Sequence, residues 1–281
     1  MSTALYAAAM RRIRGDGVEL AMQDEGQGRA VLLLHGFPDS SRLWRHQVPA
    51  LTAAGRRVIA PDLRGFGASE KPEAVKDYAI GRSAGDMVAV LDALAIERAD
   101  VVGHDFGAVV AWVLAARFPH RVDRLVAMSV GHPATARERT MEDREKAWYQ
   151  LLFQFADVAE PLLQRDDWKL FREWLRGAGD VERYLADLSR PGALTAGLNW
   201  YRANLAPELE LKPRTPLPAV AAPTMGIWSS GDHYLTEHRM TASAEHVTGP
   251  WRYERVDGAS HWMQLDAPDR VNALLLDFLA G

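Results

Sequence analysis

The chain has 281 residues, 48% of them hydrophobic and 25% charged, enough for a sizeable core in one or two domains. Its net charge of -4 and pI near 6.1 offer no basic surface for nucleic acid or an anionic membrane. With no cysteine, disulfides, thiolate catalysis and thiolate metal sites are excluded.

Met1 to Met10 carries no basic stretch ahead of its alanines, so no signal peptide is expected, and the lack of cysteine favours the cytoplasm. No apolar run approaches the length of a transmembrane helix. Met10–Arg14 and Val18–Gln23 flank Gly15-Asp16-Gly17 and predict a hairpin. Ala30–Leu34 is wholly apolar, as a strand buried on both faces should be. It runs into His35-Gly36-Phe37-Pro38, after which Ser40 or Ser41 is expected to cap a helix ending near Gly55. Arg57–Ala60 predicts another buried strand. Asp62 and Arg64, in the glycine-rich loop that follows, are read as a salt-bridged structural turn. A helix over about Gly81–Leu94 gathers Met87, Val90, Leu91 and Leu94 on one face.

The central stretch is Val101-Val102-Gly103-His104-Asp105-Phe106-Gly107-Ala108. An apolar strand ends in a glycine-flanked aspartate and turns directly into an apolar helix reaching Phe118. A strand–turn–helix of this kind can hold a nucleophile on a strained backbone, with glycines where side chains would collide. Taken alone, it equally suits an aspartate that only caps the helix. A strand at about Val122–Val130 follows, and the alternation over residues 30 to 130 predicts a parallel sheet covered on both faces.

From about Pro133 to Pro218 the strand signal stops. Trp, Tyr, Leu and charged residues recur there at helical spacing, and Pro213, Pro216, Pro218 and Pro223 close the segment. Strands Thr224–Ser229 and Trp251–Val256 and a helix over about Asp269–Leu279 resume the earlier pattern. The expected organisation is an α/β core formed by 1–132 and 219–281, with a helical cap, 133–218, over the carboxyl ends of the strands.

An aspartate nucleophile suits attack on a tetrahedral carbon, because it is ionised at neutral pH without the help of a base. Hydrolysis of the resulting ester does need a base to activate water, and donors for the oxyanion that forms. His261 in Gly-Ala-Ser-His-Trp and Asp232 in Gly-Asp-His complete the order nucleophile, acid, histidine. The plainer reading of Asp232 is an Asx turn. The backbone N–H groups of Phe37 and Phe106 are the expected oxyanion donors, while Pro38, lacking an N–H, stiffens its turn. His35 and His104 flank the site and are expected to fix loops. His46, His120, His238 and His246 read as surface or helix-end positions, and His233 diverges from Asp232. No metal-ligand spacing appears and no cofactor is expected. Tyr149 and Tyr201 each lie on an apolar helical face, which on spacing alone describes core tyrosines.

The motifs Tyr149-Gln150-x-x-Phe153-Gln154, Leu198-Asn199-Trp200-Tyr201-Arg202, His35-Gly36-Phe37-Pro38 and Gly103-His104-Asp105-x-Gly107 resemble the soluble, microbial-type epoxide hydrolases of the α/β-hydrolase fold. The resemblance covers nearly the whole chain from about residue 10. It implies a mostly parallel central sheet flanked by helices with an inserted all-helical cap. It also implies that Tyr149 and Tyr201 hold the epoxide oxygen while Asp105 opens the ring, with His261 and Asp232 driving hydrolysis of the ester. His35, Pro38, His104, Trp148, Phe153, Trp200 and Trp262 are the expected substrate-binding surroundings. The aromatic cap, Phe155 included, implies an apolar small-molecule epoxide. Neither nucleic acid nor membrane is expected as a partner, and a homodimer is compatible with the sequence. One departure is Phe106, where tryptophan is common in epoxide hydrolases.

Two alternatives stay open at this point. Haloalkane and haloacid dehalogenases share the aspartate nucleophile, but their tryptophan, asparagine or arginine donors are replaced here by Phe37 and Phe106. A binding protein that keeps the pocket without the chemistry would have no need of the full set Asp105, Asp232, His261 and both tyrosines.

Overall fold

The computed structural model describes residues 10–137, 139–212 and 215–280. The expectations for the N-terminal segment before Met10 and for Pro213 lie outside the described residues. Strands β1 (Arg11–Arg14) and β2 (Glu19–Glu25) form the predicted antiparallel hairpin. Six more strands follow: β3 (Ala30–Leu34), β4 (Arg57–Pro61), β5 (Ala99–His104), β6 (Val122–Met128), β7 (Thr224–Ser229) and β8 (Trp251–Val256). All eight join one sheet in the order β1-β2-β4-β3-β5-β6-β7-β8. β2 meets β4 antiparallel, and every pairing from β4 to β8 is parallel. β3, β5 and β7 are buried along their whole length. That explains why β3 reads as an unbroken apolar run and why β5 and β7 show no inside–outside alternation.

Helices cover both faces: α1 (Gln47–Ala53), α2 (Ile80–Ala93) and α3 (Phe106–Arg117). α3 is buried on nearly every side, in keeping with an apolar composition that lacks a polar stripe. The segment after β3 differs from expectation. Ser41–Trp44 is a 3₁₀ turn, α1 starts only at Gln47, and neither Ser40 nor Ser41 caps a helix through its side chain. Their hydroxyls are engaged elsewhere: Ser41 Oγ donates to Asp62 at 2.6 Å and Ser40 Oγ accepts from Arg183 at 3.1 Å. The Asp62–Arg64 turn is structural but not a pair. Arg64 forks onto Asp86 of α2 with two 2.8 Å bonds, while Asp62 accepts from Ser41 and the Ala68 amide.

Between β6 and β7 the described residues form helices and no strand: α4 (Met141–Lys146), α5 (Trp148–Leu152), α6 (Ala159–Leu175, interrupted at Arg165–Trp168), α7 (Val181–Leu188) and α8 (Ala193–Asn204). Thr140 and Asp143 start α4 with a reciprocal capping box. Several ties seat these helices on the core. Trp200 Nε1 donates to the Arg64 carbonyl at 3.0 Å. Asn204 donates to the Tyr78 carbonyl and accepts from the Ile80 amide. Buried Asp39 receives the Tyr184 hydroxyl at 2.8 Å and the Arg183 guanidinium. After β7 come α9 (Glu237–Thr241), then α10 (Met263–Asp266) and α11 (Pro268–Ala280) beyond β8. No described helix is long and apolar enough to cross a membrane.

Candidate active site

Asp105 sits between the carboxyl end of β5 and the first turn of α3 with φ 54° and ψ -123°, a conformation that L-residues rarely adopt. Such a backbone stores roughly 1–3 kcal/mol and persists only where the surroundings enforce it. The flanking glycines are part of that enforcement. A Cβ on Gly103 would lie 2.3 Å from the Gly107 carbonyl oxygen, and one on Gly107 would lie 2.1 Å from that of Leu34. Strand and helix therefore close onto each other only because both positions lack side chains.

The two carboxylate oxygens of Asp105 face different groups. Oδ1 accepts the Phe37 N–H at 2.9 Å, and the Phe106 N–H also bonds the carboxylate. Oδ2 points toward His261 Nε2, 3.8 Å away. Burial pushes the Asp105 carboxyl above the usual aspartate range, while His261 and the two amides favour the ionised form.

His261 Nδ1 lies 2.8 Å from Asp232 Oδ2. The other oxygen of Asp232 accepts the backbone N–H groups of Tyr234 and Leu235 at 2.8 and 3.0 Å. The Asx turn and the histidine contact therefore coexist on one carboxylate, one oxygen to each. Burial by itself would lower the pKa of His261, but Asp232 and then Asp105 outweigh it and raise the value. His104 and the Ser129 hydroxyl both reach the His261 carbonyl, at 2.9 and 3.4 Å, and hold its loop against β5 and β6. His35 acts similarly on the other side. Its Nε2 accepts the Leu63 N–H at 2.9 Å, which leaves Nδ1 to donate to the Gly36 carbonyl.

A cavity of about 250 Å³ opens on Asp105. Phe106, Val109 and Val113 form one wall of it, and Tyr149, Tyr201 and Leu235 help to close it. The two tyrosine rings are 5.9 Å apart, and Tyr201 packs on Phe106 at 4.9 Å. Burial and the charge of Asp105 push both phenols above their usual range, with Tyr149 also acting on Tyr201. Both therefore remain neutral O–H donors.

The expected substrate-binding surroundings lie mostly outside this cavity. Trp148 is 47% exposed and lines a separate outer cleft with Lys146, Glu173 and His233; Phe155 is 60% exposed. The α5 segment turns Tyr149 and Phe153 inward, which forces its opposite face into solvent. Phe153, Trp200 and Trp262 are buried behind the cavity wall rather than on it, with Phe153 against Tyr149 and Tyr201. Trp262 packs on His261. His35 and His104 hold loops, and Pro38 belongs to a cis peptide with Phe37, whose N–H reaches Asp105. Sequence reasoning passed over Tyr234. Its ring packs against His261 at 5.2 Å and Tyr149 at 5.8 Å, and its hydroxyl donates to the Trp174 carbonyl. The available signal was the Asx turn itself, which fixes the backbone two residues after Asp232. Among the described residues, no cluster of three or more His, Asp or Glu side chains could hold a metal ion.

The sheet order, the aspartate between strand and helix, and the histidine loop after β8 are those of an α/β hydrolase. The chain belongs to that family: the sequence pattern of the alpha/beta hydrolase fold matches residues 29–268. Among individual proteins, it is 34% identical to epoxide hydrolase A of Mycobacterium tuberculosis, over 98% of each chain. It is also 34% identical to the AB hydrolase superfamily protein YfhM of Bacillus subtilis, over 95% of this chain and 96% of that one. Among solved structures, epoxide hydrolase A of Mycobacterium thermoresistibile superposes with a TM-score of 0.80 at 32% identity, over 97% of this chain and 98% of that one. A Bacillus megaterium epoxide hydrolase variant superposes at 0.87 and 29% identity, over 96% of this chain and all of that one.

Proposed function

We propose that this chain is an epoxide hydrolase that converts an epoxide and water to a vicinal diol through an ester on Asp105. The observation that carries this reading is the shared cavity: a carboxylate and two neutral phenols line one small, mostly apolar space. Asp105 Oδ2 attacks an epoxide carbon as the ring C–O bond breaks. Tyr149 and Tyr201 hold the departing oxygen, and one of them protonates it. His261 then takes a proton from water, and the hydroxide adds to the ester carbon. The charge that develops on Oδ1 rests on the Phe37 and Phe106 amides. Collapse releases the diol oxygen, which takes the proton from His261. The proton set free as the carboxylate re-forms restores the tyrosine.

In this scheme residues 133–218 act as the cap that carries both tyrosines and shields the ester from bulk water. The absence of a side-chain donor at Phe37 and Phe106 favours an epoxide oxygen over a halide as the leaving group. The test is a single turnover of styrene oxide in heavy-oxygen water with excess enzyme. The diol formed should carry no label, because its new oxygen comes from Asp105. A labelled diol would mean direct attack by water; no diol from styrene oxide, with halide released from a haloalkane supplied in its place, would favour dehalogenation.

A further inference from the structure

The same cavity contains charge that ring opening does not use. Besides Asp105 and its apolar wall, it is lined by Arg139, just ahead of α4, and by Arg239 of α9. The Nε of Arg239 is buried and has no hydrogen-bond partner among the described residues. No described carboxylate pairs with this guanidinium; Asp143, which acts on it electrostatically, is already bonded to Thr140, Thr236 and His238. Among the described residues, Arg139 has one loose carboxylate contact, to half-exposed Glu210 at 3.7 Å. The two arginines repel each other, and burial together with that repulsion pushes the Arg239 pKa down. Two like charges beside a buried, unpartnered donor are unfavourable unless an anion joins them. A guanidinium fork matches a carboxylate bidentately.

We propose that Arg239 and Arg139 form an anion subsite in this cavity, so that the preferred substrates are epoxides whose non-reacting chain ends in a carboxylate. This rests on the epoxide hydrolase reading and specifies its substrate class. The apolar wall of Val109, Val113 and Leu235 would take the intervening chain. The catalytic end would then see the oxirane, and the arginines its remote carboxylate.

The test compares kcat/KM for an ω-epoxy fatty acid and its methyl ester on the wild type, Arg239→Gln and Arg139→Gln. In parallel, calorimetry measures the binding of decanoate and decanamide, which needs no turnover. The wild type should prefer the acid by roughly tenfold or more, the scale of a charge-assisted hydrogen bond. Arg239→Gln should bring that ratio toward one and weaken decanoate but not decanamide; Arg239→Lys should recover part of it. Equal use of acid and ester, or a ratio unmoved in both glutamine variants, overturns the subsite. If Arg239→Gln does not fold, Arg139→Gln decides by the same ratio. If no diol forms from either compound, the activity reading fails and calorimetry alone judges the subsite: tighter decanoate binding, lost in the variants, sustains it, and equal binding overturns it.

Discussion

At the scale of single residues, the two oxygens of one carboxylate meet different surroundings. Asp105 Oδ1 is held by amides and Oδ2 is left facing His261 and the cavity. Asp105→Asn should therefore abolish diol formation while preserving the fold, as checked by activity and thermal melting. Tyr149→Phe and Tyr201→Phe should each slow ester formation by about a hundredfold, the usual yield of a positioned proton donor, measured by single-turnover kinetics. The pH dependence has a definite sign. His261 must be neutral to act as base, and its pKa is raised above 6.5. Ester hydrolysis should fall as pH drops through that raised value, so its acid limb lies above 6.5; a limb at or below 6.5 would contradict the Asp232 coupling. The same shift stabilises the fold fully below 6.5 and loses that contribution as pH rises through the raised value.

At the scale of elements, the sequence was most informative where burial is one-sided or complete. Ala30–Leu34, Thr224–Ser229 and Trp251–Val256 are strands with the predicted limits: the first two are buried runs, and the third, partly exposed, is bounded by Gly249-Pro250 and Asp257-Gly258. The elbow was legible because only glycine fits at Gly103 and Gly107. Gly107→Ala should push α3 off β3, lowering stability by roughly 1–3 kcal/mol in denaturant titration, with a larger loss of activity. What stayed hidden were partners distant in sequence. Nothing near Arg64 announces Asp86, and nothing near Ser41 announces Asp62, since tertiary pairing and not local pattern selects them. Trp148 and Phe155 were misleading for a related reason. Aromatic content says nothing of which side of the five-residue helix at Trp148, or of the turn at Phe155 that follows it, meets solvent. Removing Arg64 strands the Asp86 carboxylate, whose pKa burial already raises, so Arg64→Ala should lower stability by about 3–5 kcal/mol.

At the scale of the whole molecule, the helices between β6 and β7 bring Tyr149 and Tyr201 over the Asp105 carboxylate that the sheet presents. The order of the site along the chain, Asp105, the tyrosines, Asp232 and His261, follows from that insertion. The Asp39 tie to Arg183 and Tyr184 is one of the anchors of this arrangement. Asp39→Ala should leave the buried Tyr184 hydroxyl unpaired and strip Arg183 of one carboxylate while Ser40 and Asp180 still hold it, making the segment 133–218 more susceptible to limited proteolysis, with activity falling alongside. The central claim is a covalent ester on Asp105 that His261 helps to hydrolyse. Intact-mass measurement of His261→Gln mixed with an epoxide tests it most directly. A stable mass increase equal to that of the whole epoxide, mapped to Asp105 and lost in Asp105→Asn, is expected. A folded His261→Gln protein whose mass does not change, or an adduct on another residue, would contradict it.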